Sequence, residues 1–530
     1  MKKIALKVTV LAVLAALAAC GGGSSGGSNN GGGITLPEVK PPVLPPYEIT
    51  PAVLTATAVA GYSETINLVA RQSVPFVGVA YLKVVPDADV INPEIPVTVK
   101  ADGTFGVAVK TSAAIKAGSY TGNITINVCN DPACGSHLAG SPFKLPYSIT
   151  VVPPEGAVTA QNLSQLSALT GAPDWGTFQG NAQHTGYVPV TLAPSAFNAR
   201  WKMSAMAVNG RILQFNPIAT GGGQVYISTG NYFTDGGRQL AAYKESDGSM
   251  VWVKTFDHLA YPSTNAPAYA GNKVYMSAGQ QSTTGMYAFD ATTGAQLFRW
   301  AMSSQWETYF APTVFNGSVY TNGGGYGGMY SFNTGSGVMN YFVALPQMDR
   351  WTPAVAASGL YVSFGGRLQA RDPATGAERF SMEGVSSGSG RAAVPIIGED
   401  GLVFAGSTAF NVNTRTVAWS SDSALAGNQA YSNRTLFGAN SKTGELEARS
   451  DSTGALLWKW PAPVADGPFT GDVLVTNNLV FVSTASKTYA IDRTTHVPAW
   501  SYPLGGALAV SANGVLYIKA GGILQAINLK

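Results

Sequence analysis

Met286-Tyr287-Ala288-Phe289-Asp290-Ala291-Thr292-Thr293-Gly294, followed four residues later by Phe298, is the stretch on which the fold turns. Its short apolar run implies a strand, because successive side chains of an extended chain point to opposite faces. Asp then Thr-Thr-Gly supplies a turn, since Asp and Asn side chains bond nearby backbone N–H groups and Gly accepts positive φ. The string recurs down the chain. Leu240 to Gly248 leads to Trp252, Met329 to Gly337 leads to Tyr341, and Leu368 to Gly376 leads to Phe380. A shortened copy from Phe410 to Asn413 leads to Trp419, Leu446 to Gly454 leads to Trp458, and Tyr489 to Asp492 leads to Trp500. Successive aromatics lie 39 to 46 positions apart, which matches a four-stranded propeller blade of about 40–45 residues.

Between each aromatic and the next string lies a second turn-then-strand element. Pro267 precedes Val274-Tyr275, Pro312 precedes Val319-Tyr320, Pro353 precedes Leu360-Tyr361, and Pro395 precedes Val403-Phe404. No amphipathic helix fits between them. Trp201 stands at an aromatic position without a string of its own, and Leu524 to Asn528 is a string without an aromatic. Pairing the two closes a ring and removes open sheet edges. The expectation is all-β: an eight-bladed propeller over 174–530. The position ahead of the Thr-Gly turn holds Lys244, Asp290, Asn333, Asp372, Asn413, Ser450, Asp492 and Asn528. A residue recurring in that way caps the turn.

The strings resemble the PQQ-like β-propeller repeat, and Asp174-Trp175-Gly176-Thr177-Phe178-Gln179-Gly180-Asn181-Ala182-Gln183-His184-Thr185-Gly186 is similar to the segment that leads into such propellers. The family includes quinoprotein dehydrogenases and BamB-like lipoproteins, which are eight-bladed accessory subunits of outer-membrane barrel assembly. The dehydrogenase reading implies pyrroloquinoline quinone and Ca²⁺ at the ring centre. That chemistry needs an oxygen-rich Ca²⁺ site, an Asp base and cations for a tricarboxylate. Such dehydrogenases often carry adjacent cysteines over the cofactor, and 174–530 contains no Cys. The expectation is a non-enzyme without cofactor or metal.

Upstream, Met1-Lys2-Lys3 and the apolar run to Leu17-Ala18-Ala19-Cys20 form an export signal over 1–19, too short for a permanent membrane helix. Its end resembles the bacterial lipobox, which implies acylation of Cys20, and Gly21 after it favours the outer membrane. Residues 20–46 are Gly/Ser-rich and then Pro-rich, a tether without a core. From 47 to 153, short alternating segments broken by turns read as a β-sandwich, with a hairpin at Asp102-Gly103. The run Gly118-Ser119-Tyr120-Thr121-Gly122 and the strands after it resemble bacterial immunoglobulin-like modules. Residues 154–173 are a linker. Cys129 and Cys134 read as a disulfide in an exported protein. The alternative is a metal or redox pair with His137 nearby.

Charged residues make up only 12% of the chain, against about 25% in ordinary domains. Removal of Lys2, Lys3 and Lys7 from the 32 basic residues leaves 29, equal to the 29 acidic ones. That balance excludes a nucleic-acid binder working through a basic patch. Trp300, Trp306, Tyr309, Phe310 and Trp351 fall off the repeat's aromatic register and are candidate binding aromatics, or else they shield a loop. The functional expectation is a monomeric lipoprotein, anchored in the outer membrane through Cys20 and facing either the periplasm or the exterior. It binds or scaffolds a protein partner of the envelope. A glycan-binding adhesin and a quinone-dependent dehydrogenase are the alternatives.

Overall fold

The computed structural model describes residues 47–530 and the pair 5–6, apart from 61–62, 73–79, 100–103, 113, 153–157, 206, 209–210, 230–238, 257–262, 280–283, 304–308, 324–326, 347, 386–391, 422–424 and 441. Cys20, the tether, the Asp102-Gly103 turn and Trp306 thus lie outside the described residues. Backbone contacts divide the chain into two compact units, Met1–Val152 and Pro153–Lys530.

In the first unit, one sheet orders Ala80–Pro86, Gly118–Cys129, Phe143–Val152 and Leu54–Val59, the last pair running parallel. A second sheet orders Tyr47–Thr50, Thr65–Gln72, Phe105–Lys110 and Val97–Val99. Alternation decides the packing: Leu145, Tyr147, Ile149 and Val151 are buried while their neighbours along the strand face out. They meet Leu54, Leu68, Val109, Ile124 and Ile126 in one core between the sheets.

The second unit is a β-propeller. Eight antiparallel sheets of at least four strands follow one another along the chain, as in Thr313–Phe315, Ser318–Asn322, Met329–Asn333 and Met339–Val343. The innermost strands neighbour one another in chain order, and Ala219–Gly221 also neighbours Ala507–Val510 of the closing sheet. Each sheet is covered on both faces by its neighbours. Its second strand is therefore buried throughout rather than alternately: Val274 to Gly279 is continuously buried, as is Gly359–Phe364.

The chain ends meet as the unmatched string implied. Asn198–Ser204 pairs antiparallel with Ile523–Asn528, with Trp201 opposite Ala526. Within the stretch read as a linker, Val158–Ala160 forms a further strand that pairs with Trp201 to Met203 on the outer side of this sheet.

Each recurring aromatic occupies one place in its sheet. Trp252 faces Ala242, Phe298 faces Ala288, Tyr341 faces Ser331, Phe380 faces Ala370, Trp419 faces Ala409, Trp458 faces Ala448 and Trp500 faces Ala490, always beside a bulge. The ring then packs under the turn of the following sheet. A Cβ on Gly294 would lie 2.6 Å from Trp252, and one on Gly337 would lie 2.3 Å from Phe298. Both glycines also have φ near +70°, so the turn requires them twice over. Two strings depart from this. His496 and Arg415 stand in the glycine place with φ of 61° and 60°, and each covers the preceding aromatic with its own side chain, Trp458 and Phe380 respectively.

The turn cap needs correcting at four of the eight positions: the Lys244 ammonium cannot accept, Ser450 Oγ pairs with Ser452 Oγ, Asn528 bonds Arg200, Asn162 and Asn198, and the shortened copy caps elsewhere. Thr292 and Thr293 donate backbone N–H bonds to Asp290 Oδ1 at 3.1 and 2.8 Å. In the shortened copy the acceptor is Asn411, which takes Asn413 N and Thr414 N at 3.1 Å each. Asn413 is not the cap; its amide donates to Asp400 O. In five strings the place is held by a residue that accepts from the second and third residues after it, Asp290, Asn333, Asp372, Asn411 and Asp492, with positive φ four residues on.

Candidate functional site

The lead-in segment lies along the innermost strands. Asp174's carboxylate accepts backbone bonds from Gly222 and Ala512. Gly176 O accepts from Tyr269 N (2.6 Å), and Thr177 Oγ1 donates to Pro312 O (2.6 Å). Val355 N, Ile397 N, Tyr431 N and Val475 N donate in turn to the carbonyls of Ala182, Gln183, Thr185 and Gly186, at 2.7–3.0 Å. Residues 174–186 thus bond to all eight sheets or their hairpin loops. His184, fully buried, sits among them with Nδ1 3.1 Å from Pro395 O and Nε2 3.0 Å from Thr313 Oγ1. A carbonyl only accepts, so Nδ1 carries the hydrogen. Burial pushes this imidazole down to about 3, and it is neutral.

Behind this segment lies a cavity of about 190 Å³. Pro217, Ala266, Ala311, Asn428, Asp472 and Ala507 border it. Each stands two residues before the inner-strand residue that pairs with the aromatic of the second strand (Tyr226, Tyr275, Tyr320, Phe437, Phe481 and Tyr517). They are one position, repeated around the ring. Trp175, Thr177, Phe178 and Gln179 of the lead-in segment close one end. Phe178 stacks on Phe310 with centroids 4.6 Å apart.

Two members of the ring are polar and adjacent. The Asn428 side-chain amide donates to Asp472 Oδ1. Burial pushes the Asp472 carboxyl up to about 6, against the pull of that amide and of the Lys519 charge. Lys519, also on the wall, donates from Nζ to Phe215 O at 3.0 Å, and burial lowers its ammonium. One carboxylate, one ammonium and one amide therefore share a space whose remaining wall is aromatic and aliphatic apart from Thr177 and Gln179 of the lead-in segment. None of the three was picked out from the sequence. The available signal was a charged residue where the other equivalent positions hold uncharged residues, mostly Pro and Ala.

These residues do not fit pyrroloquinoline quinone with Ca²⁺. A tricarboxylate would meet Asp472 with Lys519 as the single cationic side chain on the wall. Among the described residues no oxygen-rich group of three ionisable side chains converges in this unit.

The candidate aromatics do not share a surface. Trp300 is 37% exposed on an outer strand, opposite Met286. Tyr309 and Trp351 are buried at 2% exposure, so neither is open to stack on a ligand. Trp351 meets Phe364 edge-on at 5.1 Å and donates Nε1 to Met348 O. Among the described candidates, Phe310 alone reaches the cavity. In the first unit Cys129 and Cys134 are bonded, with Cα atoms 5.1 Å apart. Asp131 organises their loop by accepting from Ala133 N, Gly135 N and Ser136 N. His137 offers a nitrogen within 4.8 Å of both sulfurs, which are already committed to each other.

A family model described as outer membrane protein assembly factor BamB matches residues 159–307, 265–408 and 404–529. Among solved structures the chain is similar to BamB from Moraxella catarrhalis, at 17% identity over 63% of this chain and 98% of that one, with a TM-score of 0.48. It is also similar to a europium-containing methanol dehydrogenase, at 12% identity over 67% of this chain and 98% of that one, with a TM-score of 0.50. At such identities the likeness concerns the fold. No curated protein matches the chain. The family matches run from the outer strand at Val158–Ala160 to the closing strand Ile523–Asn528, and the chain belongs to the PQQ-like β-propeller family of outer membrane protein assembly factor BamB.

Proposed function

We propose that this chain is a non-catalytic lipoprotein of the outer membrane, held by acylated Cys20, whose eight sheets are the eight blades of a protein-binding platform. The Gly/Ser- and Pro-rich tether and an immunoglobulin-like sandwich, stapled at Cys129–Cys134, set the platform off from the membrane. Family membership supports a role in outer-membrane protein assembly.

One observation carries the reading. Seven outermost strands, including Gln296–Ala301, Met339–Val343 and Leu456–Pro461, pair on one side only among the described residues. An exposed edge is ordinarily blunted by Lys or Pro to prevent pairing. Leu456–Pro461 carries Lys459 and Pro461, but these edges also carry exposed apolar side chains: Leu297, Phe342 and Leu457 are 47, 45 and 54% exposed. Such an edge accepts an added strand, with main-chain bonds giving affinity and alternate side chains giving specificity.

A photo-crosslinker at Leu457 or Leu297, irradiated in intact envelopes, is expected to capture a barrel-assembly subunit, and Leu456→Lys beside it is expected to reduce the yield. Absence of any assembly subunit from the captured material would sink the assembly role.

A further inference from the structure

We propose that the propeller cavity is a binding site for a small zwitterion with an apolar side chain, the size and chemistry of a hydrophobic amino acid. At about 190 Å³ the space exceeds the ~150 Å³ apolar cavity that admits benzene. Its wall is divided. Phe178, Phe310, Ile218 and Leu508 offer apolar surface, while Asp472 and Lys519 offer one charge of each sign. Buried charges persist only where they are paired or hydrogen-bonded. Asp472 is held by Asn428, and Lys519 by Phe215 O.

The complementary ligand carries an ammonium for Asp472, a carboxylate for Lys519 and an apolar body for the aromatic side. A ligand with one charge would leave the opposite wall charge desolvated without a counter-charge. The lead-in segment closes one end with buried Trp175, Thr177 and Gln179. Pro217 and Gly471, also on its wall, are exposed, and the proposed entrance lies beside them. Position also argues for a ligand. Among the six equivalent residues that border the cavity, polar side chains occur only at the neighbours Asn428 and Asp472, whereas a turn or packing requirement would recur with the repeat.

Titration calorimetry on the full chain tests this with L-phenylalanine and L-leucine, set against phenethylamine and hydrocinnamate, which each lack one of the two charges. The amino acids are expected to bind, and each analogue to bind about ten-fold or more weaker. Asp472→Asn and Lys519→Met are each expected to weaken L-phenylalanine by a similar factor. Neither substitution removes side-chain volume, and thermal melts verify that both variants fold. No heat from any probe, equal binding of a singly charged analogue, or unchanged binding by both variants would overturn the proposal.

Discussion

His496 lies flat against Trp458, with ring centroids 4.7 Å apart and planes at 17°, in the place where neighbouring strings put glycine. Its positive φ of 61° costs roughly 1–2 kcal/mol for a residue with a Cβ. A stacked aromatic pair returns about 0.5–1.5 kcal/mol. The two nearly cancel. His496→Gly should therefore change unfolding free energy by less than about 1 kcal/mol, whereas His496→Ala keeps the strain, loses the stack and should cost about 1 kcal/mol. Urea melts of the two variants distinguish these outcomes, and the glycine variant falling below the alanine one would refute the cancellation.

Gly337 makes the opposite case. Alanine there must adopt a φ of +72° and place its Cβ 2.3 Å from the Phe298 ring. We expect Gly337→Ala to lower stability by about 2 kcal/mol or more. Combining it with Phe298→Ala should give less than the sum of the two losses, because the clash is removed. Additive losses would place the strain elsewhere.

His184 predicts acid sensitivity. Its folded value of about 3 lies below the ordinary 6.5, so the neutral imidazole stabilises the fold fully above 6.5. That contribution is lost progressively as pH falls from 6.5 towards 3. At pH 5 the loss amounts to roughly 2 kcal/mol. His184→Gln should have lower stability at neutral pH but a flatter profile between pH 7 and 5, measured by denaturant unfolding.

Glu245 works in the other direction. It is fully buried, accepts from Asn513 at 2.8 Å and is pushed up to about 7 by burial. Stability associated with its protonated form is present below the ordinary 4.5 and is lost as pH rises through 4.5 to 7. Glu245→Gln should raise the melting temperature at pH 8 and leave it nearly unchanged at pH 4. Between pH 5 and 7 the contributions of His184 and Glu245 oppose each other and largely cancel, while the raised Asp472 carboxyl adds to that of Glu245. Each variant then exposes the slope that the other residue supplies.

The regular part of the propeller was readable from residue spacing. The interval between aromatics is a property of the linear sequence, and the unmatched string at Leu524 pointed to its partner at Trp201. The shortened copy misled because Asn411 and Asn413 are both plausible caps by type, and only the hydrogen-bond pattern separates them. Tyr309 and Trp351 lie off the repeat register yet are buried, Tyr309 N bonding the Asn265 side chain and Trp351 packing edge-on to Phe364. Asp472 escaped notice because the strings were aligned on their turns. Aligned on inner strands, it falls at the same position as Pro217, Ala266 and Ala311, where a carboxylate is conspicuous.

The pairing of Asn198–Ser204 with Ile523–Asn528 also fixes an order of events in synthesis. The sheet whose first strand emerges earliest is the last to be finished. A growing chain can complete its middle sheets as they appear, but the seven-residue strand Asn198–Ser204 waits for its partner until residue 528 is free. Residues 174–186 likewise find their last bonding partners only when the sheets around Val475 and Ala512 exist. The closing sheet is thus the last to be completed, and until Ile523–Asn528 has emerged both Asn198–Ser204 and residues 174–186 lack partners that they hold in the finished ring.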